Sequence, residues 1–144
     1  MRSRLLVLLA GVAMLIGRPA AAQNNRFVLV VNAGNPTASL PTKDVSRIFR
    51  KDVTRWPDGS AIQPVELPAE APARAEFTQR VHGKPVQAMV AFWQQQIFSG
   101  RAVPPLERKS DADVVEYVRS HPGAIGYVTA GTTLPSEVKA IAVQ

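Results

Sequence analysis

Apolar residues are arranged in two different patterns along the chain, and these predict its strands and helices. The run 27–31 is unbroken, apolar and rich in β-branched residues, as expected for a strand buried on both faces. A second strand is predicted over 62–67, where Pro64 removes a ladder donor and favours an edge or a bulge. Two short apolar runs near the C-terminus, 124–128 and 138–143, predict the remaining strands.

Between the strands, apolar positions recur every three to four residues, which predicts helices. The first helix has Thr42 as its N-cap, and three more begin near Pro72, Pro85 and Ser110. The longest helix ends at Gly100 and carries an inner stripe of Val86, Met89, Val90, Trp93 and Ile97. The order β-α-β-α-α-α-β-β indicates an α/β domain with a small mixed sheet flanked by about four helices.

The N-terminus has the three parts of a cleavable export signal. Arg2 and Arg4 precede an apolar core at 5–16, and small residues at 20–22 predict cleavage after Ala22. The apolar core is too short to span a bilayer, so we expect no stable membrane anchor. The predicted organisation is a signal peptide over 1–22 and a single domain over 23–144, located in the periplasm or secreted.

Composition narrows the possible classes of function. The chain has no cysteine, which excludes disulfides, thiolate metal sites and thiol nucleophiles. Removing Arg2, Arg4 and Arg18 with the signal lowers the formal net charge from +6 to +3. That charge is a mild bias towards anions and does not indicate a nucleic-acid partner. The remaining cations include a cluster that is typical of a solvated basic face, consisting of Arg47, Arg50, Lys51 and Arg55.

Motifs that would indicate catalysis are missing from the sequence. It contains no Gly-x-Ser-x-Gly elbow, no His-Glu-x-x-His and no glycine-rich loop of nucleotide-binding spacing. Ser39 and Ser46 have no histidine nearby in sequence, and His82 and His121 lack metal-ligand spacing. We therefore predict a protein that is not an enzyme and has neither a metal nor a cofactor.

Three stretches together resemble one family. They are Asn32-Ala-Gly-Asn-Pro36 with the helix and turn that follow it, the strand and helix start over 65–77, and His121-Pro-Gly-Ala-Ile-Gly-Tyr-Val128. In this order and spacing they resemble one lobe of the phosphate-type periplasmic solute-binding proteins of ABC transporters. The resemblance implies a binding-protein fold without its second lobe, because family members usually close two lobes on the ligand.

The resemblance also implies where a ligand would bind. The family places Ser-Gly-Thr at a helix start, whereas the matching positions here are Ala71, Pro72 and Ala73. Both hydroxyls are missing and proline lacks an N–H donor, so tight phosphate binding by this chain alone is not expected. The candidate ligand residues form a predicted cup of two turns and a helix start, and are Asn32, Asn35, Ala73, Arg74 and Tyr127.

Several of these residues also have ordinary structural explanations. Arg74 is suited to being a solvated charge or to an ion pair with Glu70 or Glu76, and the asparagines are suited to shaping a turn. Two functions are therefore compatible with the sequence. One is weak binding of a small, phosphate-like oxyanion, or an accessory role beside a transporter or sensor protein. The other is a protein-interaction module that has lost its ligand and uses the surface left by the missing lobe, for example for self-association.

Overall fold

The computed structural model describes residues 26–144, so the predicted signal peptide lies outside the described residues. The strands of this region are β1 Phe27–Asn32, β2 Ser39–Leu40, β3 Gln63–Glu66, β4 Leu106–Glu107, β5 Ala124–Thr129 and β6 Val138–Val143. The helices are α1 Thr42–Phe49, α2 Pro72–Phe77, α3 Val86–Phe98 and α4 Asp111–Ser120. The predicted mixed α/β fold with four helices is confirmed.

The strands form one mixed sheet in the order β2-β6-β1-β5-β3-β4. β1 is antiparallel to both of its neighbours, and β5 runs parallel to β3. Two of the strands, β2 and β4, were not predicted because each has only two residues and no period to detect. β4 extends the sheet beyond β3, so β3 is an internal strand and not the predicted edge.

Pro64 fits inside the sheet because of the direction in which its nitrogen points. The N–H of the preceding residue, Gln63, donates to Gly123 O on the β5 side. Successive residues of a strand point their amides to opposite neighbours, so the Pro64 nitrogen is directed towards β4. β4 pairs only from Val65 onward, and the ladder therefore needs no donor at Pro64.

The register assigns side chains to the two faces of the sheet. Leu29 pairs with Tyr127 and Val30 pairs with Gly126, so alternate residues of β1 and β5 share a face. One face carries Tyr127 and packs against the aromatic side chains of α1 and α2, Phe49 and Phe77. The other face carries Gly126 and is covered by α4.

Gly126 allows α4 to pack closely on the sheet. A Cβ atom at this position would lie 2.7 Å from a methyl carbon of Val65 and 2.8 Å from one of Val114. Both valines are fully buried, so neither has space to move away. A side chain at this position would therefore hold α4 away from the sheet.

The helix boundaries are close to those predicted, with two differences. Pro41 and not Thr42 is the N-cap of α1, and Thr42 instead bonds to the C-terminal Gln144 O through both its N–H and its hydroxyl. The helix that begins at Pro72 widens into a π-helical turn over Thr78–His82 before Gly83 ends it.

α3 lies outside the main apolar core. Only Met89 and Trp93 of its 13 residues are buried, and neither belongs to the main cluster of buried apolar side chains that packs on the sheet. Ile97, predicted to be part of the inner stripe, is 53% exposed, and Phe98 is 96% exposed. The apolar period correctly predicts a helix. A helical period does not show, however, that a neighbouring element covers the whole apolar stripe.

Candidate functional site

Arg74 is buried beside an acidic side chain that the sequence analysis did not consider. Its Nη2 lies 2.9 Å from Glu66 Oε2, and its Nη1 donates to Leu67 O at 2.6 Å. Arg74 is 5% exposed and Glu66 is 6% exposed. The expectation of a solvated charge is therefore wrong, and the ion pair is made with Glu66 of β3 and not with Glu70 or Glu76.

A second acid completes this cluster at the sheet edge. Glu107 of β4 places Oε2 4.0 Å from Arg74 Nη1, and its side chain is mostly exposed. β4 pairs with β3 in parallel, with Glu107 opposite Glu66. The guanidinium of Arg74 thus faces one buried and one exposed carboxylate.

The pKa of Glu66 is raised to about 7. Burial is the largest cause, because it disfavours the charged carboxylate, and the negative charge of Glu107 adds to it. The positive charge of Arg74 acts in the opposite direction and only partly offsets burial. Near neutral pH, the ionised and protonated forms of the Glu66 carboxyl are therefore similarly populated.

Tyr127 lies on the same face, beside this pair. Its side chain is fully buried and its ring stacks on Phe77 at a centroid distance of 3.9 Å. The hydroxyl is near the Leu67 backbone but does not reach hydrogen-bond geometry. Burial, followed by the charge of Glu66, raises the pKa of Tyr127 far above its usual range, so the phenol stays neutral and able to donate.

Two polar atoms of this site are buried and unsatisfied. Within residues 26–144, Arg74 Nε and the Tyr127 hydroxyl are the buried side-chain atoms without a hydrogen-bond partner. Such groups are costly in a protein interior, and each requires an explanation. The Glu66–Arg74–Tyr127 cluster, together with Glu107, is the candidate site.

The start of α2 provides few free backbone donors. Ala73 is buried there, and the N–H groups of Arg74 and Ala75 both donate to Ala71 O. Pro72 has no N–H, and Ala71 makes no side-chain cap. The helix tip therefore offers an oxyanion few backbone N–H donors.

The structure does not bring all five predicted site residues into one cup. Asn32 follows Val31, which pairs with Ile125, so it lies at the end of the sheet away from Glu66 and Tyr127. Its side chain is on the α4 face, where Nδ2 donates to Val118 O and Arg119 O at 3.1 and 3.0 Å. Asn32 thus caps the C-terminal carbonyls of α4.

Asn35 also has a structural role. Its Oδ1 accepts a hydrogen bond from Thr37 N at 2.9 Å, and its N–H donates to Asn32 O. These bonds hold the turn after β1, as expected for asparagines in turns. Ala73, Arg74 and Tyr127 remain together, whereas Asn32 lies on the opposite face of the sheet and Asn35 bonds within its own turn.

Folding creates a serine–histidine contact that the sequence did not indicate. Ser46 Oγ of α1 lies 2.9 Å from His82 Nδ1. Burial, followed by the nearby charges of Arg50, Arg74 and Lys84, lowers the pKa of His82 to about 4. The charges acting on the imidazole are thus cationic, unlike the carboxylate that orients the histidine of a catalytic triad.

The basic cluster is largely paired with its own surroundings. Arg47 lies 3.7 Å from Asp44, Arg50 lies 3.4 Å from Asp52, and Arg55 donates to Gly59 O. These contacts are exposed and contribute little stability, as is usual for surface ion pairs. They agree with a solvated basic face.

A groove of about 560 Å³ runs between the helix that follows β3 and the start of α3. Ala69 and Pro72 line one side, and Pro85, Val86 and Gln87 line the other. It lies beside the proline-rich connection at 68–72.

Glu66 is the residue that the sequence analysis missed. Its signal was present, since it is a carboxylate within the apolar strand run 62–67. An acid buried there needs a cation, and Arg74 opens the next helix. Nothing in the sequence indicated the position of Glu107, because β4 has only two residues and therefore no apolar period.

Comparison with protein families gives one match that spans most of the chain. Residues 20–143 match a family described as a PBP superfamily domain. Among curated proteins, none matches this sequence.

Solved structures share the fold at low sequence identity. A putative phosphate ABC transporter substrate-binding protein with bound phosphate, from Clostridium perfringens, is 18% identical with a TM-score of 0.64, and the match covers 81% of this chain and 44% of that one. An ABC-type phosphate transport receptor from Vibrio cholerae is 21% identical with a TM-score of 0.63, covering 81% and 45%. A possible phosphate binding protein from Planctomyces limnophilus is 17% identical with a TM-score of 0.60, covering 82% and 41%. The chain thus spans less than half the length of these proteins.

Proposed function

Because this chain belongs to the PBP superfamily, we propose that it is an exported solute-binding-protein-like lobe that acts by protein interaction and not as a phosphate carrier. One observation carries the proposal. The Glu66 carboxylate occupies Arg74, the cation that a small oxyanion would otherwise bind. An external anion would have to displace a buried counter-ion already in hydrogen-bond contact.

Export is the part of the proposal that rests on the N-terminus. Residues 1–22 have the features of a cleavable signal, and the solved proteins of similar fold are named as transport receptors and substrate-binding proteins. Among residues 26–144, no helix has the length and apolar character to cross a membrane. N-terminal sequencing of the exported protein should begin at Gln23, and an intact N-terminus would contradict cleavage.

The interaction surface that we propose is the exposed side of α3 with the segment after it, here called the α3 surface. All of the large apolar side chains that are exposed within residues 26–144 come from this stretch, and they are Ile97, Phe98, Val103 and Leu106. An unpartnered apolar surface of this kind is typical of an interaction site.

The occupant that we propose is a second copy of the chain. α3 has no charged residue, so two copies can approach along it without like-charge repulsion, whereas the chain as a whole is cationic. Its glutamines both donate and accept hydrogen bonds, which suits a self-complementary interface. A pair of lobes would also approach the length of the solved relatives, of which one chain covers 44%. An accessory role beside a transport or sensing system is compatible with such a pair.

Sedimentation velocity of the mature chain, from low micromolar to near-millimolar concentration, tests this proposal. We expect a monomer–dimer equilibrium that Phe98→Glu abolishes, because the introduced carboxylates would face each other across the interface. Thr133→Glu adds the same charge at an exposed position of the loop after β5 and should leave the dimer intact. A chain that is monomeric at every concentration would overturn the second-copy proposal.

Calorimetry with phosphate at about pH 8, where Glu66 is mostly ionised, tests the second part of the proposal, that the chain is not a phosphate carrier. We expect no binding with millimolar phosphate. Submillimolar affinity at this pH would show that the ion pair does not close the site.

A further inference from the structure

We propose that the pocket at the C-terminal end of α1 binds a small carboxylate that carries a short apolar chain, and that Lys51 is the counter-ion of this carboxylate. The pocket has a volume of about 280 Å³, and its lining residues all come from the segment 48–64. This inference goes beyond the interaction function and does not depend on it, because no residue that lines the pocket lies on α3. The cluster of Glu66, Arg74 and Tyr127 does not line it either.

Most of the lining of this pocket is apolar. Its apolar members are Ile48, Val53, Ala61, Ile62 and Pro64. Ile48 and Ile62 belong to the main cluster of buried apolar side chains, so this wall is closely packed from behind. Ile62 N donates to Thr54 O at 2.9 Å, which closes the turn over 54–62. The pocket is therefore formed before a ligand arrives, as is usual for small-molecule sites.

The charged groups of the pocket are cationic. Lys51 and Arg55 line it, and none of the described residues that line it is acidic. Arg55 Nη1 donates to Gly59 O, which holds that guanidinium beside the turn. Apolar walls with only positive charges among them are complementary to a molecule that has an apolar part and an anionic head.

Lys51 is the cation of this pocket that lacks a partner. Within residues 26–144 its ammonium makes neither an ion pair nor a hydrogen bond, whereas Arg47 and Arg50 of the same basic cluster pair with aspartates. Partial burial lowers the pKa of Lys51, because the ammonium loses hydration that no protein group replaces. The carboxylate of a ligand would supply the missing partner.

The backbone of Lys51 is strained in a way that glycine would relieve. Its φ of 60° is the one positive φ of a non-glycine residue within 26–144. Lys51 N donates to Ile48 O and Asp52 N donates to Arg47 O, which is the Schellman arrangement that favours glycine at this position. A lysine here costs stability, and strain of this kind is common at binding sites.

Titration of the mature chain with hexanoate, followed by amide chemical shifts in NMR spectra, tests the site. We expect saturable shifts within 48–64 and a Kd of about 1 mM or less. Acetate has the charge without the chain, and hexanol has the chain without the charge. Each should bind at least about tenfold more weakly than hexanoate.

Substitutions of Lys51 separate a ligand role from a purely structural one. Lys51→Gln keeps the strained backbone and removes the charge, and it should raise the Kd for hexanoate at least about tenfold. Lys51→Gly should lose the same affinity but be more stable than Lys51→Gln in urea denaturation, because glycine relieves the strain. Lys43→Gln, the matched control, removes a positive charge from the first turn of α1, outside the pocket, and should leave the Kd unchanged.

The ammonium of Lys51 could instead serve only the C-terminal end of the α1 dipole, which favours cations. In that case Lys51→Gln would change stability and leave the affinity for hexanoate unchanged. That result would overturn the proposal. It would also be overturned if hexanoate did not bind below about 10 mM, or if hexanol bound as tightly as hexanoate.

A second ligand distinguishes two sources of such a carboxylate. N-acetyl-leucine represents the C-terminus of a peptide, and hexanoate represents a free aliphatic acid. Tighter binding of N-acetyl-leucine would identify a peptide C-terminus as the natural ligand, and tighter binding of hexanoate would identify a free acid. Both results support the pocket as a carboxylate site, and neither depends on whether the chain forms a dimer.

Discussion

Tyr127 stacks on Phe77 with ring planes 10° apart and centroids 3.9 Å apart, yet its hydroxyl is buried without a hydrogen-bond partner among residues 26–144. The ring and the hydroxyl of Tyr127 therefore have opposite effects on stability. The ring fills the centre of an aromatic cluster that includes Phe27 and Phe49, whereas the hydroxyl has lost its water without replacement.

Removing this hydroxyl should not destabilise the fold. We expect Tyr127→Phe to leave the free energy of unfolding unchanged or to raise it by up to about 1 kcal/mol, because an unsatisfied polar group is deleted and the ring is kept. Phe77→Leu should instead lower it by roughly 1–3 kcal/mol, since the stacked ring is lost. Urea denaturation of both variants measures the difference. A loss above about 1 kcal/mol in Tyr127→Phe would reveal a partner of the hydroxyl.

Asn32 should prove to be a helix-capping residue and not a ligand residue. Asn32→Ala removes two hydrogen bonds to the C-terminal carbonyls of α4 and should cost about 1–3 kcal/mol in the free energy of unfolding. Asn32→Asp should cost more, because a carboxylate would face those carbonyls and the negative end of the helix dipole. Urea denaturation of both variants measures these losses, and an Asn32→Ala variant as stable as the parent protein would contradict the capping role.

Gly126 should tolerate no side chain. We expect Gly126→Ala to lower the free energy of unfolding by roughly 1–3 kcal/mol, because the added methyl overlaps Val65 and Val114. The matched control is Ala140→Val, which adds carbon atoms on an exposed position of β6. Thermal unfolding should show the control close to the parent protein. Equal melting temperatures for Gly126→Ala and the parent would contradict the close packing of α4.

The ion pair predicts how stability depends on pH. The pKa of Glu66 is about 7 in the folded chain and about 4.3 in an unfolded one, so the folded state binds more protons between these values. The stability that Glu66 contributes is therefore fully present below its unfolded pKa and is lost as the pH rises through about 7. Relative to Glu66→Gln, the parent protein should lose up to about 1.4 kcal/mol per pH unit across this window.

The comparison of the parent protein with Glu66→Gln isolates the effect of Glu66, because the titration of His82 changes the free energy of unfolding in the opposite direction. Its pKa of about 4 in the folded chain lies below the unfolded value, so protonation of the unfolded chain removes stability as the pH falls through the range between them. Both proteins contain His82, and its effect cancels in the comparison. Glu107→Gln serves as a control in denaturation curves across the pH range. A parent and Glu66→Gln with parallel pH profiles would contradict the raised pKa.

Local patterns predicted most of the elements. The apolar run of β1, the Ser110 cap of α4 and the period of the longest helix all correspond to elements in the structure. The strands β2 and β4 were missed because two residues form strands only when a neighbouring strand pairs with them. Pro64 predicted an edge or a bulge, because the direction of a single backbone nitrogen depends on the register with β5, which the sequence does not show.

The amino-acid sequence by itself determined the α/β class, the lack of thiol chemistry and the lack of hydroxyl side chains at the start of α2, since each follows from residue types and local period. Only the tertiary structure decided which side chains meet. It separated Asn32 from Arg74 because the alternation of β1 places Asn32 on the α4 face. It brought Glu66, Arg74 and Tyr127 together because Glu66 of β3 and Tyr127 of β5 lie on the other face of the sheet, on which α2 packs. Contacts between residues distant in sequence depend on register and face, which no local pattern encodes.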